Sequence, residues 1–314
     1  MSFTAEVKDE LSRCEDADPV CSLAELAAMV RVCGTLSVFG SGSKRRYRLS
    51  MATETGSVAR TAIKLMRRTY GLTTELTVRR SVLHKTRNYL IVVPDQPQLP
   101  KALVRMGVLT PELGLARAIA PELVSRPAWA KAYLRGAFMG GGFISDPHGD
   151  AHFEMVAQGD AFATGLADML ARFDVNAHVS RRRSSFVIYL KNASDILSFL
   201  VLVGAPSSAL AIEDARVVKS LRNDANRIVN AEIANQKKAT DAAGSQTDLI
   251  ELIDAKLGLG KLPPALRSFC ELRLANPLLS LRELGEIADP PLSKSAVYHR
   301  VRRLEEIAAE LDNE

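Results

Sequence analysis

The feature that most constrains this 314-residue chain is that its first two-thirds is written twice. Ala24–Thr35 (AELAAMVRVCGT) and Lys131–Phe143 (KAYLRGAFMGGGF) both read as helices with small residues at their ends that run straight into a strand. Gly34 and Gly142 set the offset at 108 residues. An alternating strand follows in each copy, at Tyr47–Thr53 and His152–Gln158, where apolar residues recur at every second position. A helix comes next, at Ser57–Tyr70 and Ala161–Phe173. Two strands joined by a basic hairpin close each copy, Thr74–Val82 with Asn88–Val93 and Asn176–Arg182 with Ser185–Lys191. Arg79 and Arg80 match Arg181 and Arg182 at an offset of 102. The expected fold class is α+β, with a duplicated αββαββ unit over residues 1–205.

The small residues of the two leading helices predict a close helix pair. Ala27 and Ala28 in one copy and Gly136 and Ala137 in the other would let the backbones approach, where larger side chains would hold them apart. With this order of elements, the unit resembles the LAGLIDADG homing-endonuclease fold. That resemblance implies two units packed through their motif helices beneath a β-sheet saddle. It also implies an acidic residue at the end of each motif that binds a divalent metal for phosphodiester cleavage, since two-metal chemistry needs hard oxygen ligands. Here the matching positions are Cys33 and Gly141, and no acid lies between Leu26 and Phe39. Asp146 stands alone beyond the second motif. The sequence therefore predicts the shape of a nuclease without its catalytic acids, with no metal and no catalytic residue.

What remains in this region is positive charge. Between positions 44 and 87 stand Lys44, Arg45, Arg46, Arg48, Arg60, Lys64, Arg67, Arg68, Arg79, Arg80, Lys85 and Arg87, opposed only by Glu54 and Glu75. Arg181, Arg182, Arg183 and Lys191 add to the second copy. On strands and hairpins such residues can neutralise phosphates and make binding salt-dependent. Arg79, Arg80, Arg181 and Arg182 are the phosphate-contact candidates. The alternative is a solvated surface, and Arg60, Lys64, Arg67 and Arg68 fit the exposed face of a helix equally well.

Beyond the repeat, Ser194–Val203 reads as a short apolar helix and Ser208–Ala239 as one long helix carrying Asn223, Asn226, Asn230 and Asn235. Asparagine is a mediocre helix former, so its concentration there suggests side chains hydrogen-bonded to a partner, either in bridging two domains or in contacting nucleic acid. Asp241–Gln246 is the expected hinge, which makes residues 206–246 a linker and 247–314 a separate all-helical domain. Its second helix carries Leu281, Leu284 and Ile287, and Asp289-Pro290-Pro291-Leu292 makes the turn, because proline cannot continue a helix. Ser293 is placed as the N-cap of the third helix. From Ser293 to Arg303 that helix holds no acid. Val297, Val301, Leu304 and Ala308 form its inward stripe, which leaves Ser295, Tyr298, His299 and Arg302 facing outward as candidates for reading base edges. Ser293, Lys294, Arg300 and Arg303 flank them and suit phosphates. The competing reading is a helical protein–protein module.

One family unites these parts. The opening Ser2-Phe3-Thr4-Ala5-Glu6-Val7-Lys8-Asp9-Glu10-Leu11 is similar to that of the WhiA family. So are the decayed motif pair, the Asn226-Arg227…Asn230…Ala234-Asn235 helix and the ending Leu284-Gly285…Pro290-Pro291-Leu292-Ser293-Lys294-Ser295…His299-Arg300…Arg302-Arg303-Leu304. The resemblance covers essentially the whole chain. It implies a helix-turn-helix transcription regulator of cell-division, sporulation or chromosome-segregation genes that lacks nuclease activity. Its implied partners are double-stranded DNA and, in actinobacterial members, a WhiB-type iron–sulfur protein, with no cofactor of its own. The charge of +5 favours an anionic partner. No signal peptide is evident and no apolar run is long enough for a membrane, so a cytoplasmic, nucleoid-associated protein is expected, with Cys14, Cys21, Cys33 and Cys270 as reduced thiols. The functions weighed against this reading are a metal-dependent DNA endonuclease and an adaptor to RNA polymerase or the nucleoid.

Overall fold

The computed structural model describes residues 2–40, 45–80, 87–183 and 185–312. Lys44 and Lys85, both counted among the basic residues, lie outside the described residues. The chain divides into two compact units, Met1–Lys219 and Ser220–Glu314.

In the first unit the repeat is plain. Helix α1 (Phe3–Leu11) precedes the first copy, which runs α2 (Pro19–Cys33), β1 (Gly34–Phe39), β2 (Arg46–Thr53), α3 (Gly56–Tyr70), β3 (Glu75–Arg80) and β4 (Arg87–Val93). After α4 (Leu99–Arg105) the second copy runs α5 (Pro127–Gly141), β5 (Gly142–Ile144), β6 (Phe153–Ala157), α6 (Asp160–Ala171), β7 (Ala177–Arg182) and β8 (Ser185–Leu190), followed by α7 (Ala193–Val203). Each copy folds an antiparallel sheet of the same topology, β1-β2-β4-β3 and β5-β6-β8-β7. Both motif helices begin on proline, whose fixed φ suits a first turn, and both pass directly into a strand at Gly34 or Gly142. The 108-residue offset therefore holds through the whole motif.

The register corrects one match. Gly34 faces Met51, Met51 faces Ile91 and Ile91 faces Leu76. In the second copy Gly142 faces Met155, Met155 faces Ile188 and Ile188 faces Val179. Leu76 therefore corresponds to Val179, an offset of 103, and Arg79 corresponds to Arg182 rather than to Arg181. Buried alternation fixes the register, and a slip of one residue would turn every side chain to the other face.

The core lies where the helices cover one face of each sheet. Tyr47, Leu49 and Met51 of β2 and Phe153, Met155 and Ala157 of β6 are buried there, and Phe153 packs on Phe138 and Phe199 at ring separations of 5.4 and 4.7 Å. The motif helices touch as their small residues predict. A Cβ on Gly136 would lie 2.1 Å from the Glu25 carbonyl oxygen, so only glycine admits that approach. Across the same contact Arg135 pairs with Glu25 and Asp16, all inside or at the edge of the core. Arg31 donates to the carbonyls of Gly107 (2.7 Å), Arg117 (2.8 Å) and Ala118 (3.1 Å), tying α2 to the connector between copies.

Helix α8 (Pro206–Lys256) runs without a break through Asp241–Gln246, so the expected hinge is helical. One glycine costs a helix only about 1 kcal/mol, and Ala243, Gln246, Ile250 and Ile253 are buried along this stretch. The second unit adds α9 (Pro264–Ala275), α10 (Leu281–Ile287) and α11 (Lys294–Asp312) around a core of Ile250, Ile253, Phe269, Cys270, Leu284, Val297, Val301 and Leu304. No helix among the described residues is long and apolar enough to cross a membrane.

Candidate nucleic-acid interface

In the second unit α10 and α11 are each capped by side chains at their N-termini. Ser280 and Glu283 form a reciprocal capping box at the start of α10, with the Ser280 N–H donating to Glu283 Oε2 at 2.8 Å. Ser293 Oγ accepts from the Ala296 N–H at 3.2 Å and caps α11, as its position predicts. Between the helices the chain returns very close to itself. Leu292 N–H donates to the Gly285 carbonyl at 2.8 Å, and a Cβ on Gly285 would stand 2.4 Å from the Leu292 carbonyl oxygen. Beneath, the buried Arg273 donates to the carbonyl oxygens of Leu279 (2.5 Å) and Asn276 (3.4 Å). The sequence reading missed this arginine, because a lone cation in a helix reads as surface.

These contacts fix what α11 presents. Val297, Val301, Leu304 and Ala308 are buried, whereas Ser295, Tyr298, His299 and Arg302 are exposed on one face, three and four residues apart. Arg302 has no acidic partner among the described residues. The flanking cations differ from one another. Lys294 and Ser293 are exposed, Arg300 is half-buried beside Ile287 and Leu292, and Arg303 is paired with Glu306 at 2.6 Å. Of the apolar residues of α10, Leu284 is buried and Ile287 is half exposed.

In the first unit, strand alternation sorts the basic residues. Partners across a ladder share a face, so the face of the first sheet left bare by the helices carries Arg46 and Arg48 of β2, Asn88 of β4 and Arg79 of β3. In the second sheet it carries Phe143, Glu154, His178 and Arg182. Arg80 and Arg181 point to the opposite sides of their sheets. Arg182 lies 3.1 Å from Glu154, which His152 also approaches at 3.3 Å, so the bare face of the second sheet is less positive than that of the first. Arg60, Lys64, Arg67 and Arg68 cluster on α3, which covers the other face of its sheet.

The decayed motif ends meet as the repeat requires. Gly141 sits against Val32, next to Cys33, at the tips of α5 and α2. Cys33 Sγ donates to the Met29 carbonyl at 3.2 Å, and burial pushes its thiol up to about 11, so it is protonated at neutral pH. From α1, which the sequence reading did not identify, Lys8 brings an ammonium toward Cys33 and Glu54. A neutral thiol, a glycine and an ammonium do not fit a divalent cation, which needs hard anionic oxygens.

A duplicated LAGLIDADG-like body followed by a helix-turn-helix defines a two-part DNA-binding protein. The chain belongs to the WhiA family. Three family models match in sequence order: the WhiA N-terminal LAGLIDADG-like domain at 19–107, the WhiA LAGLIDADG-like domain at 130–222 and the WhiA C-terminal HTH domain at 225–308. A probable cell division protein WhiA of Thermoanaerobacter pseudethanolicus is 41% identical over 99% of this chain and 98% of its own length. One from Heliobacterium modesticaldum is 40% identical over 98% and 96%. The crystal structure of full-length DUF199/WhiA from Thermatoga maritima superposes with a TM-score of 0.60 at 25% identity, covering 99% of both chains.

Proposed function

We propose that this protein is a sequence-specific DNA-binding transcription regulator that serves cell division, sporulation or chromosome segregation and does not cleave DNA. The observation that carries the reading is the face of α11, where Ser295, Tyr298, His299 and Arg302 stand exposed over a buried apolar stripe. A helix entering the major groove needs such a front, and a bidentate arginine–guanine contact is worth about 1–3 kcal/mol of discrimination. The relatives named as cell division proteins support the process it serves. Arg79 and Arg182 of the bare sheet faces supply phosphate contacts, which add affinity more than specificity. A WhiB-type iron–sulfur protein and RNA polymerase belong to the same reading as partners, and co-purification from the source cell tests them.

The decisive measurement is equilibrium binding to the best genomic site and to a scrambled duplex. Arg302→Ala is expected to cost about 1–3 kcal/mol on the specific site and much less on the scrambled one. Arg302 is exposed, so thermal melting is expected to be unchanged. Equal losses on both duplexes would make Arg302 a phosphate contact, and no loss on either would move recognition away from α11.

A further inference from the structure

The two motif helices end side by side, with Val32 against Gly140 and Gly141. A helix C-terminus carries partial negative charge, so two of them meeting form a point that asks for a cation. Among the described residues the motif ends themselves bring no carboxylate to hold a metal, only Cys33 and Gly141, and Glu54 stands alone nearby. The positive charge comes from α1 instead. Thr4 fixes α1 to the second copy, its Oγ1 donating to the Ile144 carbonyl (2.6 Å) and accepting from the Ile144 N–H (3.0 Å). One turn on, Lys8 reaches the helix tips with its Nζ 6.0 Å from the Phe138 ring centre. It is half-buried and has no hydrogen bond or ion pair among the described residues.

Lys8 lies in the wall of a cavity of about 620 Å³ whose other walls include Thr53, Glu54, Arg87, Asn88 and Phe143. Asn88 and Phe143 belong to the bare faces of the two sheets, whereas Arg87, paired with Arg80, and Thr53 come from the other side of the first sheet, so the cavity sits at the strand ends and its rim reaches the bare faces. Lys8 and Arg87 against Glu54 leave one net positive charge, the complement of one phosphodiester. We propose that this cavity is a phosphate site, in which Lys8 and Arg87 hold one backbone phosphate of bound DNA where a nuclease would hold its metal. The proposal rests on the reading that the bare sheet faces contact DNA.

Protonation adds a signature. Burial brings the Lys8 ammonium down to about 8, against the pull of Cys33 and Glu54. The titratable groups that act on it are Cys33 of α2 and Glu54 ahead of α3, and Arg87 of β4 lines the same cavity. Among the described residues α5 and β5 bring Phe138, Gly140, Gly142 and Phe143, none of them titratable, with the His152 ring tilted against Phe143 at 6.0 Å. Free protein therefore loses this charge as pH rises from 7 to 9, whereas bound phosphate favours keeping it.

The test uses the full-length protein and a labelled duplex carrying the best genomic site, titrated against salt and pH. Lys8→Met keeps the aliphatic stem and is expected to weaken binding several-fold and to flatten the log–log salt slope by about 0.9, the value for one lost phosphate contact. Lys8→Arg is expected to restore the slope and to remove the loss of affinity between pH 7 and 9. Glu54→Gln is expected to tighten binding. Should Lys8→Met fail to fold, the exposed Arg87→Ala carries the same expectation for the slope. The comparison is a variant with both Arg79→Ala and Arg182→Ala. If that pair flattens the slope while the Lys8 and Arg87 variants do not, the cavity holds no phosphate and Lys8 serves only the helix tips. If none of them alters the slope, DNA does not lie on the sheets, and both readings fall.

Discussion

At the scale of single residues, the chain's history is recorded where a side chain is missing. Gly136 is required by its neighbour, since a Cβ there would stand 2.1 Å from the Glu25 carbonyl oxygen, and backbone cannot swing aside. Gly140 is less confined: its nearest neighbours would be the Val32 side chain at 3.1 and 3.3 Å and the Met29 Cα at 3.4 Å. Gly136→Ala is therefore expected to destabilise the first unit by about 1–3 kcal/mol, the usual range for overpacking, and Gly140→Ala by clearly less. Chemical denaturation of the two variants checks the order, and equal costs would mean that the helix pair is looser than its glycines indicate. Cys33 and Gly141 carry no such geometric duty toward a metal. Their positions were legible from the 108-residue offset alone, whereas Lys8 was not, because it comes to them from a helix outside the repeat.

At the scale of elements, the ladder of alternation and helix periodicity that the repeat displays in sequence matches the strands and helices observed. The elements it missed are short. Helix α1 has its signal, with Phe3, Val7 and Leu11 four residues apart and Ser2 capping at 3.3 Å, but nine residues carry little periodicity. The expected hinge is helical for the opposite reason, since local composition at Gly244 and Ser245 is overruled by burial of Ala243 and Gln246 on either side. The faces of the arginines needed the ladder register, which no single strand contains. Helix α1 also closes α8. Ser207 and Ser208 N–H donate to Glu10 Oε1 and Oε2 at 2.8 and 2.9 Å, and Ser208 Oγ donates at 2.5 Å. Burial pushes the Glu10 carboxyl up, but these hydrogen bonds outweigh it and hold it below its ordinary value. A carboxyl lowered in the folded state stabilises above its unfolded pKa, and that stability is lost as pH falls through the folded one. Glu10→Gln is expected to cost about 1 kcal/mol at pH 7, as for other N-cap losses, and the gap to wild type is expected to close as pH falls below that of an ordinary glutamate. A gap that persists at low pH would show that packing, not charge, seats α8.

At the scale of the whole molecule, a LAGLIDADG-like body is joined in one chain to a helix-turn-helix, and its motif tips carry a thiol, a glycine and an ammonium. Purified protein is expected to leave supercoiled plasmid intact with Mg²⁺ or Mn²⁺, and nicking that follows the protein through purification and disappears in a Cys33 or Lys8 variant would overturn this. The duplication has a further consequence. A homodimer shows DNA two identical halves and so prefers a site that reads the same from both ends. Two copies fused in one chain are released from that rule. Here the bare face of one sheet carries Arg46, Arg48 and Arg79, while the other sets Glu154 beside Arg182. Such a protein has a head and a tail. In the proposed reading it need not look for a palindrome, and on a promoter it would give one direction along the double helix a meaning that a symmetric repressor cannot give.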